Sequence, residues 1–308
     1  MITVFTPTYN RGSLLNRLYQ SLCAQKFKDF EWIIVDDGSS DNTVSIVELL
    51  QSRHRNKDFS IRYYRKENGG KHTAINVGVK KAQGDLFFIA DSDDILPPNT
   101  LQTIAKVWDQ TKDDSSIGGI CGFDGNLNGG GLIGTGFPKG IHLSKLSLAD
   151  NNNISYIDGT TRQIRFGLGI EGDMKEVFRT FVLREFPFPE IKGERFCPEV
   201  LLWNRIASKY RLRHIDKIIY LVEYQQDGIS AGITRSRMNS PIAATMTYAE
   251  MLGYDIPIKA KVRSAINYWR FKFCVNKNIL EVPKVKWYWY LYLPIGFMMH
   301  LKDKKTNK

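Results

Sequence analysis

Short apolar runs alternate with stretches of helical periodicity over the first third of this chain of 308 residues. Continuous apolar runs predict strands, and apolar residues spaced three and four apart predict helices. The predicted strands are residues 2–6, 31–35, 61–64 and 86–90. The predicted helices are residues 13–25, 41–51, 73–82 and 97–110. This order is that of βαβ units, and such apolar strands are typical of a mostly parallel sheet buried between helices.

Polar clusters follow each predicted strand. They are TPTYNR after the first strand, DDGSSDN after the second, KENGGKH after the third and DSDD after the fourth. In an open α/β sheet, ligands bind beyond the carboxyl ends of the parallel strands. The sequence therefore predicts one binding site to which all four loops contribute.

Three carboxyl groups, those of Asp91, Asp93 and Asp94, lie just past the fourth strand. Alternate residues at a strand end can face the same way, so Asp91 and Asp93 can share a divalent ion and a ribose between them. A nucleoside diphosphate needs such an ion, because its negative charge must be neutralised as it leaves. An acidic turn that caps the following helix is the alternative interpretation.

A second acidic pair, Asp36 and Asp37, follows the second strand. Carboxylates in this position can accept hydrogen bonds from a nucleobase N–H or from ribose hydroxyls. Asp41 is placed to cap the next helix. The pair alone is weak evidence for a site, but two acidic strand ends in one sheet strengthen the hypothesis.

Two glycine-rich segments invite a phosphate-binding interpretation. NGGKH, which contains Lys71, offers backbone N–H groups and a cation before a helix, and an ordinary glycine turn is the alternative. It is not a Walker A loop, because Arg65 stands at the first glycine position and His72 follows the lysine. The segment 129–134, GGGLIG, matches G-x-G-x-x-G, but Pro138 and two more glycines follow where a helix is required. We predict a loop or hairpin there, and no dinucleotide.

The composition, 43% hydrophobic and 12% aromatic, is sufficient for a folded core. The four cysteines lie far apart and include no Cys-x-x-Cys pair, so we expect a reducing compartment and neither disulfides nor a zinc cluster. The first residues, MITVFTPTYNRG, lack a basic region followed by a long apolar run, so we expect no secretory signal. Both features favour the cytoplasm.

The net charge of +11 is concentrated in the C-terminal tail, where twelve Lys and Arg residues from Lys259 onward oppose Glu281 and Asp303. Residues 287–301, taken as a helix, would reach roughly 22 Å, short of the roughly 30 Å hydrocarbon core. Their Trp and Tyr content and the flanking lysines predict an anchor on an anionic membrane surface. A helix packed on the protein or in a homodimer interface is the alternative. Because no recognition motif lies beside the charge, we expect no nucleic-acid partner.

TPTYNR, VDDGSSDNT, NGGKHTAINVG and ADSDD, in this order and spacing, resemble the family 2 glycosyltransferases of GT-A fold over about residues 1–110. The resemblance implies a Rossmann-like α/β fold with a mostly parallel sheet, an acceptor-side extension and a helical C-terminal tail. It implies Mn2+ or Mg2+ as cofactor, with Asp93 as direct metal ligand and Asp91 nearer the ribose or a water ligand of the metal. The nucleotide-binding positions that match are Pro7, Tyr9, Arg11, Asp36 and Asp37.

The catalytic base of this family lies in a Glu-Asp pair at the start of a helix, with an arginine six residues beyond the Asp. Here a helix is predicted from residue 199 to residue 210, Glu199 takes the base position and Arg205 the arginine position. Pro198 stands in place of the family's Glu. A glutamate can do the same proton chemistry with one more methylene of reach.

Two further segments resemble functional parts of the family. Asp173 falls where the family often places an acceptor-binding residue, and it is the acid that competes with Glu199 for the role of base. Residues 224–237 resemble a flexible loop that closes near the diphosphate, with Arg235 and Arg237 as phosphate partners. A mobile basic linker is the alternative.

The resemblance implies an inverting, metal-dependent transferase that moves a sugar from a nucleotide-sugar donor, a UDP-sugar, to a lipid-linked or oligosaccharide acceptor. We expect a cytoplasmic protein, peripheral on the inner face of the plasma membrane, and leave a homodimer open. An inactive nucleotide-binding relative or a scaffold is the alternative. The expected organisation is a nucleotide-sugar-binding half at 1–110, an acceptor and catalytic-base half at 111–237, and a basic, aromatic region at 238–308.

Overall fold

The computed structural model describes residues 1–55, 58–129, 131–146, 153–223, 232–276 and 282–306. The chain divides into two compact units. The first unit comprises Met1–Asn68, Ala74–Pro187 and Ile206–Glu223. The second unit comprises Gly69–Thr73, Phe188–Arg205 and Tyr224–Lys308.

The first unit is built on one sheet, with nine strands in the described part of the chain. The strands are β1 Ile2–Thr8, β2 Phe30–Asp36, β3 Ser60–Arg65, β4 Leu86–Ile89, β5 Ile117–Asn126, β6 Ser144–Leu146, β7 Ile154–Gly159, β8 Met174–Arg179 and β9 Arg211–Val222. Their order in the sheet is β3-β2-β1-β4-β8-β5-β9-β7-β6.

Helices cover the faces of this sheet. They are α1 Gly12–Cys23, α2 Thr43–Arg53, α3 Lys71–Lys81, α4 Thr100–Asp109 and α5 Thr180–Glu185. Leu15, Leu18 and Leu22 of α1 are fully buried against the apolar strands, as their three- and four-residue spacing predicts. The α/β fold expected from the first third of the sequence is confirmed.

Strands β3, β2, β1 and β4 are parallel, and their register aligns the carboxyl ends of the first three. Thr8 pairs with Asp36, and Asp36 pairs with Arg65. The loops that follow these residues therefore leave the sheet along one line, which we call the carboxyl edge. This edge positions the candidate site.

Beyond β4 the sheet is mixed. β8 lies antiparallel between β4 and β5, β9 is parallel to β5, and β7 is antiparallel to β9. Since β8 runs against β4, the amino end of β8 and the carboxyl end of β5 also lie at the carboxyl edge. In the described part of the glycine segment that was predicted as a loop or hairpin, the carbonyl of Gly131 accepts the N–H of Asn126, and Leu132 forms a bridge with Gly125.

The second unit is helical over most of its described length. Its helices are α6 Glu199–Ile206, whose last residue falls in the first unit, α7 Ile233–Asn239, α8 Pro241–Gly253, α9 Ile258–Lys272 and α10 Leu293–Thr306. Tyr248 of α8 and Tyr268, Trp269 and Phe271 of α9 form its core.

The tail differs from the single helix considered for residues 287–301. A 3-10 helix, Trp287–Tyr292, precedes α10, which continues to Thr306. Pro294 is the second residue of α10, and proline is tolerated in the first turn of an α-helix but not within one, because it lacks the N–H and clashes with the preceding turn. The α-helix therefore begins only at Leu293.

Candidate functional site

The first two loops at the carboxyl edge are joined by hydrogen bonds. Asn10, with a φ of 52°, accepts the N–H of Ser40 on its side-chain oxygen at 2.7 Å, and its own N–H donates to Ser39 Oγ at 2.8 Å. Pro7 is buried within β1, whereas the ring of Tyr9 is nearly half exposed. Tyr9 is thus an aromatic surface beside an anchored loop.

Asp36 and Asp37 are both buried at the end of β2. Asp36 accepts the N–H of Ser39 at 2.7 Å and the hydroxyl of Tyr63 at 2.7 Å. Asp37 pairs with Lys66 Nζ at 2.7 Å. Protein partners therefore fix the orientation of both carboxylates.

The three carboxyl groups after β4 have different surroundings. Asp94 is 6% exposed and accepts the N–H of Glu223 at 3.2 Å. Burial, with a further contribution from the charge on Asp91, raises the pKa of Asp94 to about 7. Asp91 and Asp93 remain partly accessible. The structure thus separates a buried aspartate from two aspartates that a ligand can reach.

Arginines from the first loop and α1 hold Asp93. Arg11 Nη1 lies 2.7 Å from its Oδ2, and Arg17 Nη2 donates to its backbone carbonyl. Arg17 also pairs with Glu223 at 2.6 Å. Arg11 was predicted from the sequence. Arg17 and Glu223 were not, because a charged residue on a helix and one at a strand end carry no spacing signal.

Asp91 has a different set of partners. Its N–H donates to the hydroxyl of the buried Tyr220 at 2.6 Å, and Lys175 Nζ lies 3.9 Å from its Oδ2. The same ammonium stands 3.8 Å from the centre of the Tyr220 ring, a cation–π contact. Lys175 and Tyr220 were also missed, since they lie on β8 and β9, far from the four loops in sequence.

Asp124 is a further buried carboxyl group at the end of β5. It is 4% exposed, and its Oδ1 has no hydrogen-bond partner among the described residues. Burial raises its pKa to about 7, Lys175 opposes this shift, and the charges of Asp173 and Asp91 add to it. Asp173, just before β8, is exposed. Acidic groups from three strand ends therefore act on one another at the carboxyl edge.

A metal ion at this edge would have to share protein and ligand oxygens. In the part of the chain that the structure describes, no three His, Cys, Asp or Glu side chains form a group that could hold a metal ion by themselves. Mg2+ in phosphate sites is bound through one or two carboxylates together with substrate phosphates. The partly accessible Asp91 and Asp93 fit that requirement.

The second unit contains the other predicted residues. Glu199 is the first residue of α6, as expected, and its Oε1 lies 2.9 Å from Lys71 Nζ. Arg205 forms a two-pronged pair with Glu250 of α8, with Nε–Oε2 and Nη2–Oε1 distances of 3.0 and 2.6 Å. α6 ends at Ile206, before the predicted residue 210.

The predicted diphosphate loop is described only in part, because residues 224–231 lie outside the described residues. The remainder, including Arg235 and Arg237, forms α7 and not a linker. Arg235 is exposed, whereas the guanidinium of Arg237 lies 5.8 Å from the centre of the Tyr248 ring.

Known proteins share this sequence pattern and architecture. The family model for glycosyl transferase family 2 matches residues 3–169. Glycosyltransferase GlyG of Streptococcus pneumoniae is 33% identical over 125 residues, 40% of each chain. A Campylobacter jejuni GalNAc(5)-diNAcBac-PP-undecaprenol beta-1,3-glucosyltransferase is 28% identical over 240 residues, 76% of this chain and 69% of that protein. The chain spans between 18% and 40% of the length of the first four curated relatives it matches.

Two solved structures share the fold. S. aureus TarS 1-349 in complex with UDP-GlcNAc superposes with a TM-score of 0.56 at 22% identity, over 89% of this chain and 72% of that one. The mannosyltransferase PcManGT from Pyrobaculum calidifontis, in complex with GDP-Man and Mn2+, superposes with a TM-score of 0.55 at 17% identity. The superposition covers 99% of this chain and 75% of that one. Because the family model covers more than half of the sequence and both structures share its GT-A-like architecture, the chain belongs to glycosyl transferase family 2.

Proposed function

We propose that this chain is a metal-dependent, inverting glycosyltransferase that moves a sugar from a UDP-sugar to a hydroxyl group of a glycolipid or growing polysaccharide. The observation that carries the proposal is the arrangement of Asp91 and Asp93 at the carboxyl edge. Both are partly accessible and held by cations, while their neighbour Asp94 is buried. A diphosphate with a divalent ion needs such a pair of reachable, oriented carboxylates.

The names of related proteins support the substrate classes. TarS was solved with UDP-GlcNAc and PcManGT with GDP-Man and Mn2+. The Campylobacter jejuni relative is named for an acceptor linked to undecaprenol. For this chain we propose a nucleotide-sugar donor, Mn2+ or Mg2+ as cofactor, and a lipid-linked acceptor met at the inner face of the plasma membrane.

Donor binding is assigned to the positions that match the family's nucleotide-binding residues. Tyr9 would stack on the nucleobase, and the loop that carries Pro7 and Arg11 would close one side of it. Asp36 and Asp37 would orient base and ribose through the turn that they hold. Bound Mn2+ or Mg2+ would neutralise the charge of the diphosphate. The cations assigned to the phosphates are Lys71, Arg235 and Arg237.

Transfer would proceed by one displacement. The acceptor hydroxyl loses its proton to Glu199 while its oxygen forms a bond to the anomeric carbon. The bond from that carbon to the diphosphate oxygen breaks on the opposite face, and the leaving oxygen keeps the electron pair. Configuration at the anomeric carbon is therefore inverted. Asp173 is assigned to acceptor binding.

The organisation proposed for this activity is that expected from the sequence. Residues 1–110 bind the nucleotide sugar, residues 111–237 supply the acceptor and base functions, and residues 238–308 form the C-terminal region. The pairing of Arg205 with Glu250 supports a positioning role for this arginine, because it ties α6 to α8 within the second unit.

The proposal is tested by the metal dependence of nucleotide binding and of diphosphate release. In the parent protein, we expect Mn2+ or Mg2+ to increase the thermal shift caused by UDP, and a screen of UDP-sugars to identify a donor from which UDP is released. Asp93→Asn should lose the metal effect and reduce release by about 10²-fold or more. Asp109→Asn changes an exposed aspartate on α4 and should leave both readouts unchanged.

Two results would contradict the assignment. If Asp93→Asn shows the same metal effect and the same UDP release as the parent, Asp93 is not part of the metal site. If the parent protein binds UDP but releases no UDP from any nucleotide sugar with any acceptor extract, the alternative holds, and the chain is an inactive nucleotide-binding relative.

A further inference from the structure

The buried residues of the last helix are small or polar. Gly296, His300 and Asp303 are the buried residues of α10, and their spacing of four and three places them on one face. A Cβ on Gly296 would lie 2.5 Å from Trp269 Cβ, so the glycine permits close packing on α9. His300 Nδ1 contacts Cys274 Sγ at 3.4 Å, and Asp303 Oδ1 accepts from Arg270 Nη2 at 2.7 Å.

The opposite side of α10 is apolar and exposed. Ile295, Met298 and Leu301 recur every three residues on that side, and Met298 is 62% exposed. In the preceding 3-10 helix, Trp287 is 83% and Leu291 76% exposed. A helix that packs on a protein in water normally turns its apolar stripe inward. In α10 the buried residues are instead Gly296, His300 and Asp303, and the apolar side chains named above stay exposed and available to another partner.

Exposed lysines flank these apolar residues along the chain. Five exposed lysines lie within residues 282–306: Lys284, Lys286, Lys302, Lys304 and Lys305. Asp303 is the one acidic residue of that segment, and it is buried against Arg270. The lysines are therefore not offset by acidic side chains of the same segment. Apolar and aromatic residues bordered by lysines match the chemistry of an anionic lipid surface.

We propose that the tail face, defined as Trp287, Leu291, Ile295, Met298 and Leu301 with the five lysines, docks this protein on an anionic bilayer. The 14 residues of α10 span about 21 Å, less than the roughly 30 Å of a hydrocarbon core. Within the described residues, no helix is both long and apolar enough to cross a membrane. The tail face therefore lies in the plane of the interface, with its apolar side chains inserted among the lipids.

A second copy of the chain fits the tail face less well. A two-fold interface brings the same patch of both copies together. The five lysines of one copy would then approach those of the other, and like charges at an interface oppose association. Anionic headgroups attract the lysines, whereas the lysines of a second copy repel them.

Vesicle flotation of the full chain tests the proposal. We expect the protein to float with vesicles of phosphatidylcholine and phosphatidylglycerol, to float far less with phosphatidylcholine alone, and to be released by high salt. Docking on a bilayer rests on the proposed function in one respect, since it would bring the protein to a lipid-linked acceptor. Because neither donor nor acceptor is present in this assay, failure to bind vesicles and failure to transfer a sugar are distinguishable. A protein that floats with neither vesicle overturns the proposal.

Matched variants locate the bound surface. Leu291→Ser combined with Met298→Ser should weaken vesicle partition about tenfold or more, because each inserted side chain loses its transfer free energy. Leu49→Ser, at an exposed leucine of α2, should have no effect. Replacing Lys302, Lys304 and Lys305 with Gln should weaken binding by about fivefold for each lysine, on the anionic vesicles only.

The parent and the double serine variant should have the same melting temperature, because both changed side chains are exposed. Vesicle binding by the double variant equal to that of the parent overturns the proposal. A second result also overturns it: light scattering shows a dimer for the parent and a monomer for the double variant, and the parent binds no vesicles. In that case a second copy covers the tail face.

Discussion

Nζ of Lys71 lies 2.9 Å from Oε1 of Glu199, and both residues belong to the second unit. The pair joins the amino-terminal residue of α3 to the amino-terminal residue of α6. A cation against the carboxylate orients the acid that we assign as the base. The same pair keeps the ammonium of Lys71, which we assign to binding the diphosphate, close to Glu199.

Glu199→Gln retains the size and polarity of the side chain but cannot accept a proton. We therefore expect kcat to fall about 10²- to 10⁴-fold, with KM for the donor nearly unchanged. The measurement is UDP release at saturating donor. Glu48→Gln, at an exposed glutamate of α2, is the control and should behave as the parent. Undiminished turnover in Glu199→Gln would transfer the role of base to another acid, with Asp173 as the first candidate.

Lys71→Met separates the two roles of the lysine. If Lys71 meets the diphosphate, the affinity for UDP falls by about tenfold, since a hydrogen bond to a charged group contributes about 1.5–3 kcal/mol. If it only orients Glu199, kcat falls and UDP affinity does not. Titration calorimetry with UDP and the kinetics of UDP release distinguish these results. Lys112→Met, at an exposed lysine, provides the comparison.

Lys175 is expected to position Asp91. Its ammonium contacts the Asp91 carboxylate and the Tyr220 ring, and its side chain is only 13% exposed. Lys175→Met should raise KM for the donor several-fold, whereas Lys175→Arg, which keeps the charge, should recover much of the loss. Lys145→Met on β6 changes an exposed lysine and should leave KM unaltered. Equal loss in the Met and Arg variants would indicate a packing role instead.

Asp124 should make stability depend on pH. Burial raises its pKa in the folded protein to about 7, above the ordinary value of 3.8. Between these two values the folded state binds more protons at this site than the unfolded state, so the contribution of Asp124 to stability decreases as pH rises through this window. Asp124→Asn removes this dependence.

Chemical denaturation at pH 4.5 and pH 8 measures the effect, each pH being roughly at one end of the window. We take the free energy of unfolding of Asp124→Asn minus that of the parent at each pH. This difference should be higher at pH 8 than at pH 4.5 by at least about 1 kcal/mol. Asp109→Asn, at an exposed site, should show no such difference. A constant offset between Asp124→Asn and the parent at both pH values would contradict the raised pKa.

Gly70 should not tolerate a side chain. It has a φ of 95°, and a Cβ there would lie 1.9 Å from the carbonyl oxygen of Arg195. We expect Gly70→Ala to destabilise the fold by about 2–3 kcal/mol, through backbone strain and steric overlap. Gly129 has open space around it, so Gly129→Ala should be nearly neutral. Thermal melting of the two variants checks this, and equal melting temperatures would show that the backbone near Gly70 relaxes.

The order of elements in the first third could be predicted because its signals are local. Apolar runs identify strands, and three- and four-residue spacing identifies helices, irrespective of the rest of the chain. The alignment of the strand ends also followed, since parallel strands end at one edge. The register of Thr8 with Asp36 and of Asp36 with Arg65 agrees with that inference. The insertion of β8 between β4 and β5 was not predictable, because strand order depends on pairings between distant segments.

The sequence by itself determined the family, the α/β order and the acidic positions at the strand ends, because each depends on residues close together along the chain. Only the tertiary structure decided which of these groups water or a ligand can reach. It buried Asp94 and left Asp91 and Asp93 accessible, brought Lys175 to Asp91, and paired Lys71 with Glu199. It also turned the apolar side of α10 outward. Solvent exposure and long-range pairing are properties of packing, and sequence spacing does not encode them locally.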